Sequence, residues 1–216
     1  MITARQVLAA ILLLGLAACG VAGAQADKAD PAAGKARADL YQCEGCEGAL
    51  EADGATLASH ADMAPDGEPG EPLRVAGTVY AAGGKTPAAG VVIYAYQTNA
   101  EGLYANGTPG TEASRRHGRL RGWVKTGADG RYSFDTIKPA PYPNDTIPAH
   151  IHFTILEPGK RPYWIDDIVF EGEFGVTDAY RSGMTNKGGN GIVPAIRDAR
   201  GVWQVTRDII LERHPD

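Results

Sequence analysis

From Leu73 onward the chain alternates short runs rich in β-branched and aromatic residues with clusters of Gly, Pro and Asp. Runs of this kind read as strands, because side chains two apart share a face and turn residues bound each run. Seven strands are predicted: Leu73 to Tyr80, Gly90 to Gln97, Arg119 to Val124, Arg131 to Ile137, Ala149 to Leu156, Trp164 to Phe170 and Val202 to Leu211. Thr126-Gly127-Ala128-Asp129-Gly130 and Asp198-Ala199-Arg200-Gly201 have the composition of hairpin turns and are expected to join their neighbours as hairpins. With no convincing amphipathic helix, the expected fold is all-β, a β-sandwich of short strands over residues 71–216.

The pattern is different upstream. Between Gly20 and Gly70 the large apolar residues are Val21, Leu40, Tyr41, Leu50, Leu57 and Met63, set among small, acidic and proline residues. Such a stretch buries too little surface to offset its own ordering entropy, so residues 19–70 read as a flexible tether whose middle can dock on the body. Residues 1–18 combine a single charge at Arg5, an apolar run from Val7 to Leu16 and small residues after it. That run is too short to cross a bilayer and reads as a secretory signal peptide. Leu16-Ala17-Ala18-Cys19 further resembles the bacterial lipobox, in which the cysteine is lipidated and becomes the new N-terminus. The expectation is an exported lipoprotein anchored through Cys19 to the membrane surface of the cell envelope, in the periplasm or at the outer membrane.

An oxidising compartment favours a local disulfide between Cys43 and Cys46 that pins a loop. A redox dithiol and half of a zinc site are the alternatives. Zinc needs two more ligands, and the one histidine close by is His60. Hydrophobic residues at 44% and charged residues at 22% are globular values, and 28 Gly with 14 Pro suit many turns rather than long helices. A net charge of −5 with an isoelectric point near 5.5 offers no basic footprint for a nucleic-acid partner.

Candidate chemistry centres on His150-Ile151-His152. In a strand the two imidazoles point to one face while Ile151 and Phe153 turn to the other, which makes a ready pair of metal ligands. Just upstream, Pro139, Pro141 and Pro143 hold Tyr142 in an extended loop with little freedom.

These residues carry a resemblance. Thr136 to Pro143, with Tyr142, followed by Pro148-Ala-His150-Ile-His152-Phe, is similar to the iron-binding stretch of the intradiol ring-cleavage dioxygenases, the family of catechol and protocatechuate 3,4-dioxygenases. Tyr96 to Tyr104 resembles the segment that ends in that family's first ligand tyrosine, and Arg121-Gly122 and Thr126 to Phe134 fit the spacing between the two tyrosines. The resemblance implies a non-haem Fe(III) bound by Tyr104, Tyr142, His150 and His152. It implies cleavage of a catechol by O2 between the two hydroxylated carbons, giving a muconate-type dicarboxylic acid. Tyr142 would be the ligand that yields to the substrate and helps take its proton. The chain departs from the family at Ile147, where an arginine is usual, and at Asp167, which aligns with a glutamine. Arg115, Arg116, Arg119 and Arg121 are candidates to replace the missing charge. A non-catalytic transthyretin-like binding module at the cell surface is the alternative, and homo-oligomers stay open.

Overall fold

Aliphatic and aromatic residues at every second position give each strand one apolar face, and two sheets can bury those faces against each other. The computed structural model describes residues 35–52, 55–106 and 110–215. In chain order these form a 3-10 helix at Cys46–Ala52 and strands β1 (His60–Asp62), β2 (Pro72–Tyr80) and β3 (Val92–Gln97), then α1 (Glu112–Arg115). Strands β4 (Arg121–Lys125), β5 (Arg131–Ile137), β6 (His150–Leu156) and β7 (Tyr163–Phe170) come next, then α2 (Asp178–Gly183). The chain closes with β8 (Ile192–Val193), β9 (Ala195–Arg197), β10 (Trp203–Thr206) and β11 (Ile209–Ile210). The first sheet runs β1-β5-β2-β10-β9 with β11 also on β2, and the second runs β4-β3-β6-β7-β8. Leu73, Val75, Phe134 and Val205 from one sheet and Ile93, Ile151, Phe153 and Ile165 from the other meet in a single buried core. Phe134 and Phe153 touch across it with ring centroids 5.9 Å apart.

The expected strands are all present, with one broken. Val202 to Leu211 divides into β10 and β11 because Arg207 turns inward, fully buried, and donates to the carbonyls of Gly188, Gly189 and Asp208. A buried guanidinium must find such acceptors, and its backbone leaves the ladder to do so. The turn at Asp198–Gly201 closes the antiparallel pair β9 and β10, as a hairpin. The one at Thr126–Gly130 does not, because β4 and β5 lie in different sheets. Thr126 instead holds the 88–91 arch, donating from its hydroxyl to Ala88 O and accepting there from Val91 N, while Gly130 O takes Val79 N. The segment is a corner between layers, not a hairpin.

Residues 35–52 lie on the outer face of the second sheet. Leu40 is fully buried, the Trp164 indole donates to Gln42 O at 3.0 Å, and the Trp123 indole donates to Gly48 O at 2.9 Å. Lys187 donates to Leu40 O and lies over the Trp164 ring at 3.8 Å. Cys43 and Cys46 form a disulfide within this segment, and β1 adds a parallel strand to β5. The segment expected to be a signal peptide and Cys19 fall outside the described residues, among which no helix is long and apolar enough to cross a membrane.

Leu40→Ala should remove the buried anchor of this segment and lower the unfolding free energy by ~2–5 kcal/mol. Denaturant titration measures it, and an unchanged midpoint would mean that docking contributes nothing to stability.

Candidate metal centre

The period of two in β6 sends Ile151, Phe153 and Ile155 into the core and leaves His150 and His152 on the outer face. Each imidazole is then fixed by one acceptor. His150 donates from Nδ1 to the Pro148 carbonyl at 2.7 Å, and His152 donates from Nδ1 to Asp167 Oδ1 at 3.0 Å. Because a carbonyl and a carboxylate only accept, both rings keep their Nε2 lone pairs free, 3.1 Å apart. Asp167 reaches His152 through a bulge: β6 and β7 pair Ile151 with Ile168 and Phe153 with Ile165, so Asp166 and Asp167 together face His152. Asp166 turns inward and accepts from the Thr185 hydroxyl at 2.5 Å.

The two tyrosines arrive on loops that are tied together. Asn99 N bonds Leu103 O, and the Asn99 side chain accepts from Glu101 N and Leu103 N, folding a tight turn ahead of Tyr104. Ala140 N donates to Asn99 O and the Thr98 hydroxyl to Ala140 O, which join this turn to the proline-rich loop. Gly102 makes the approach feasible: its φ is +77°, and a Cβ there would stand 2.0 Å from Pro141 O. Tyr104 and Tyr142 hydroxyls consequently meet at 2.6 Å, Tyr104 lies 2.9 Å from His152 Nε2, and Tyr142 lies 3.2 Å from His150 Nε2.

All four residues singled out in the sequence thus converge, with two phenol oxygens and two imidazole nitrogens facing one point. Burial raises both tyrosines above the usual phenol range, with the hydrogen bond to Tyr142 adding to the effect on Tyr104 and the one from Tyr104 opposing it on Tyr142. Burial and the neighbouring His152 push His150 down. The two phenols therefore keep their protons around pH 7, and a cation bound here would displace them. His150, His152 and Asp167 offer atoms close enough for a metal ion. A second such group, His60, Asp62 and Asp135, is solvent-exposed, with Arg74 already on Asp135 at 3.3 Å.

A cavity of about 310 Å³ opens onto Tyr104, Tyr142 and His152, with Tyr96, His117, Arg116 and the Glu44-Gly45 turn as its other wall. Of the four candidate arginines, Arg116 lines this cavity and pairs with Glu44 at 3.4 Å. Arg115 donates to Gly110 O, Arg119 pairs with Glu68, and Arg121 pairs with Glu51. Ile147 is 44% exposed and lies outside the cavity lining. The departure at Asp167 is accounted for by its bond to His152. Sequence reading missed His117 and the Glu44-Gly45 turn as parts of the wall; the one signal for the latter was the Cys43/Cys46 spacing around it.

The chain is similar to known proteins. A dioxygenase family model, Dioxygenase_C, matches residues 48–187. The chain is 35% identical over 134 residues to catechol 1,2-dioxygenase 1 of Acinetobacter lwoffii, covering 53% of this chain and 42% of that protein. It is 33% identical over 137 residues to 6-chlorohydroxyquinol 1,2-dioxygenase of Cupriavidus pinatubonensis, covering 54% and 48%. These alignments span less than half the length of either relative. The dioxygenase domain of a dioxygenase and carbohydrate-binding protein fusion from Streptomyces sp. SirexAA-E has a similar fold, with a TM-score of 0.51 and 25% identity over 70% of this chain and 86% of that one. The matched stretch contains Tyr104, Tyr142, His150 and His152 together with Asp167, and the chain belongs to the intradiol ring-cleavage dioxygenase family.

Proposed function

We propose that this protein cleaves a catechol-type ring between its two hydroxylated carbons with O2, using a non-haem Fe(III) held by Tyr104, Tyr142, His150 and His152. The observation that carries this reading is the convergence of two phenol oxygens and two Nε2 atoms at separations of 2.6–3.2 Å. Phenol oxygen with imidazole nitrogen is a donor set that suits hard ferric iron. When bound, the iron supplies Lewis acidity that lowers phenol pKa values and makes a catecholate reactive toward O2.

The chain's own residues do the remaining work. Asp167 and the Pro148 carbonyl hold the two imidazoles in the tautomer that presents Nε2. Tyr142 is only partly buried, on a loop held by prolines at the cavity edge, and can swing from the cluster as substrate enters, taking one catechol proton on its oxygen. Tyr96 stacks on His152 at 4.4 Å and gives the cavity a flat aromatic side against which a ring can lie. Adding both atoms of O2 to the ring needs no further reductant and yields the muconate-type dicarboxylic acid. We place the mature chain at the cell envelope, exported and held by lipid on Cys19; the Cys43–Cys46 disulfide suits an oxidising compartment.

The purified protein should be red-brown from phenolate-to-iron charge transfer and should consume catechol and O2 in equal amounts. His152→Ala is expected to lose most of the iron and the colour together, while Asp167→Asn should weaken iron binding 10- to 100-fold without removing a donor. Metal analysis beside the visible spectrum checks both, and full iron in His152→Ala would refute the assignment. For location, Cys19→Ala should leave the protein unprocessed or release it in soluble form; membrane association unchanged by that substitution, on cell fractionation, would count against the lipid anchor.

A further inference from the structure

One buried chain of side chains ends at the cavity without serving the metal donors. Glu51 pairs with Arg121 at 2.8 Å, and Arg121 is almost fully buried. Burial alone would raise the Glu51 carboxyl, but hydrogen bonds from Ser114 and Thr111 and the Arg121 charge outweigh it and hold it at about 2. The Arg121 guanidinium also acts on Tyr94, which is fully buried, opposing the rise that burial causes in its hydroxyl. Tyr94 lies 2.8 Å from Nδ1 of His117.

The direction of these bonds follows from their chemistry. A buried hydroxyl proton needs an acceptor, arginine has donors only, and Nδ1 of His117 at 2.8 Å takes the Tyr94 proton. The neutral imidazole must then carry its proton on Nε2. Burial, with His152 and Arg121 adding to it, brings His117 down to about 4, so the ring is neutral at ordinary pH. The His117 ring is stacked on Tyr96 at 3.8 Å and 9°, and is only 6% exposed. In front of Nε2 stands Gly45, with φ +81°, where a Cβ would come within 2.7 Å of that nitrogen. Any side chain at position 45 would cover the donor. The glycine leaves it facing the cavity, on a turn held by the Cys43–Cys46 disulfide.

Resting on the proposed catechol chemistry, we infer that His117 Nε2–H, left uncovered by Gly45, donates a hydrogen bond to a neutral oxygen substituent on the catechol ring and selects substrates that carry one. His117 stands two stacked ring spacings from His152, with Tyr96 between them, too far for the hydroxyls at the metal donors but placed for the opposite ring edge. The other charges on this wall, Arg116 and Glu44, are paired with each other, so the wall presents no net cation for a carboxylate. A single neutral N–H matches a hydroxyl or methoxy oxygen. A buried donor left without its acceptor also disfavours the unsubstituted ring.

The test compares catechol, 1,2,4-trihydroxybenzene and 3,4-dihydroxybenzoate on the iron-loaded protein. Affinities come from anaerobic titration of the visible band, and kcat/KM from turnover in O2. The protein should prefer 1,2,4-trihydroxybenzene to catechol about tenfold, the worth of one hydrogen bond to a buried donor. His117→Phe keeps a ring on Tyr96 without the donor and should abolish that preference while the protein keeps its iron. His117→Gln retains an N–H and should restore part of the preference, which a purely structural role for His117 does not predict. A protein with no preference, one that prefers 3,4-dihydroxybenzoate, or a preference that survives in His117→Phe or is absent from a folded, iron-bearing His117→Gln overturns the inference. These results leave turnover itself intact; lack of iron or of turnover on every catechol overturns the proposed function instead, and with full iron the titrated affinities still decide the role of His117.

Discussion

Strand β6 has to bury one face completely and expose donors on the other. Ile151, Phe153 and Ile155 fill the space between the two sheets, so a shift of register by one residue would drive His150 and His152 into an apolar core and turn those isoleucines to the outer face. The cost of burying unpaired imidazoles in that core fixes the register, and the register places the two imidazoles. The rest of the site is adjustment around that strand: the bulge in β7 that brings Asp167 onto His152, and the paired loops that carry Tyr104 and Tyr142 across its end.

The outer face of the second sheet poses a covering problem whose solution also shapes the pocket. Tyr94, Trp123, Thr154 and Trp164 lie on that face, and the indole N–H groups need acceptors once water is excluded. The segment 35–52 supplies carbonyls from Gln42 and Gly48, seats Leu40, and brings its backbone so close at Gly48 that a Cβ would stand 2.7 Å from the Tyr94 ring. The same approach brings the Glu44-Gly45 turn over His117. Stability of the fold and shape of the cavity therefore rest on one docked segment, so a change made to anchor or free it should alter both.

Buried charge is handled in the same economical way. Arg207 is surrounded by carbonyls of the 188–189 turn, Lys187 by the Trp164 ring and Leu40 O, and Arg121 by Glu51 and the Trp123 ring. Each cation has acceptors or an aromatic face where water is absent, which is what makes its burial tolerable. Two of the three pin segments to the second sheet near the site, since Lys187 holds the Leu40 region and Arg121 the 3-10 helix through Glu51.

The strands of the sandwich and the shared face of the two histidines were legible in the chain because both depend on short-range order. Alternation at a period of two marks β2 to β7, and His150-Ile151-His152 within such a run already puts its imidazoles on one face. Tyr142 between prolines and Tyr104 after its turn were readable through resemblance, in segments whose local conformation is set within a few residues. What the chain alone did not reveal involves partners far apart along it. β1, β8 and β9 are too short to carry a pattern, and the Thr126–Gly130 corner has hairpin residues but passes between layers, a distinction that only sheet order settles. Arg207 breaks a strand because carbonyls nearly twenty positions away accept its bonds. His117 and Gly45 face each other across 72 positions, and Asp167 became the partner of His152 through a bulge that no local preference announces. Local sterics and hydrophobic period are written in neighbouring residues, whereas the wall of the cavity depends on which surfaces must be covered once the sheets have packed.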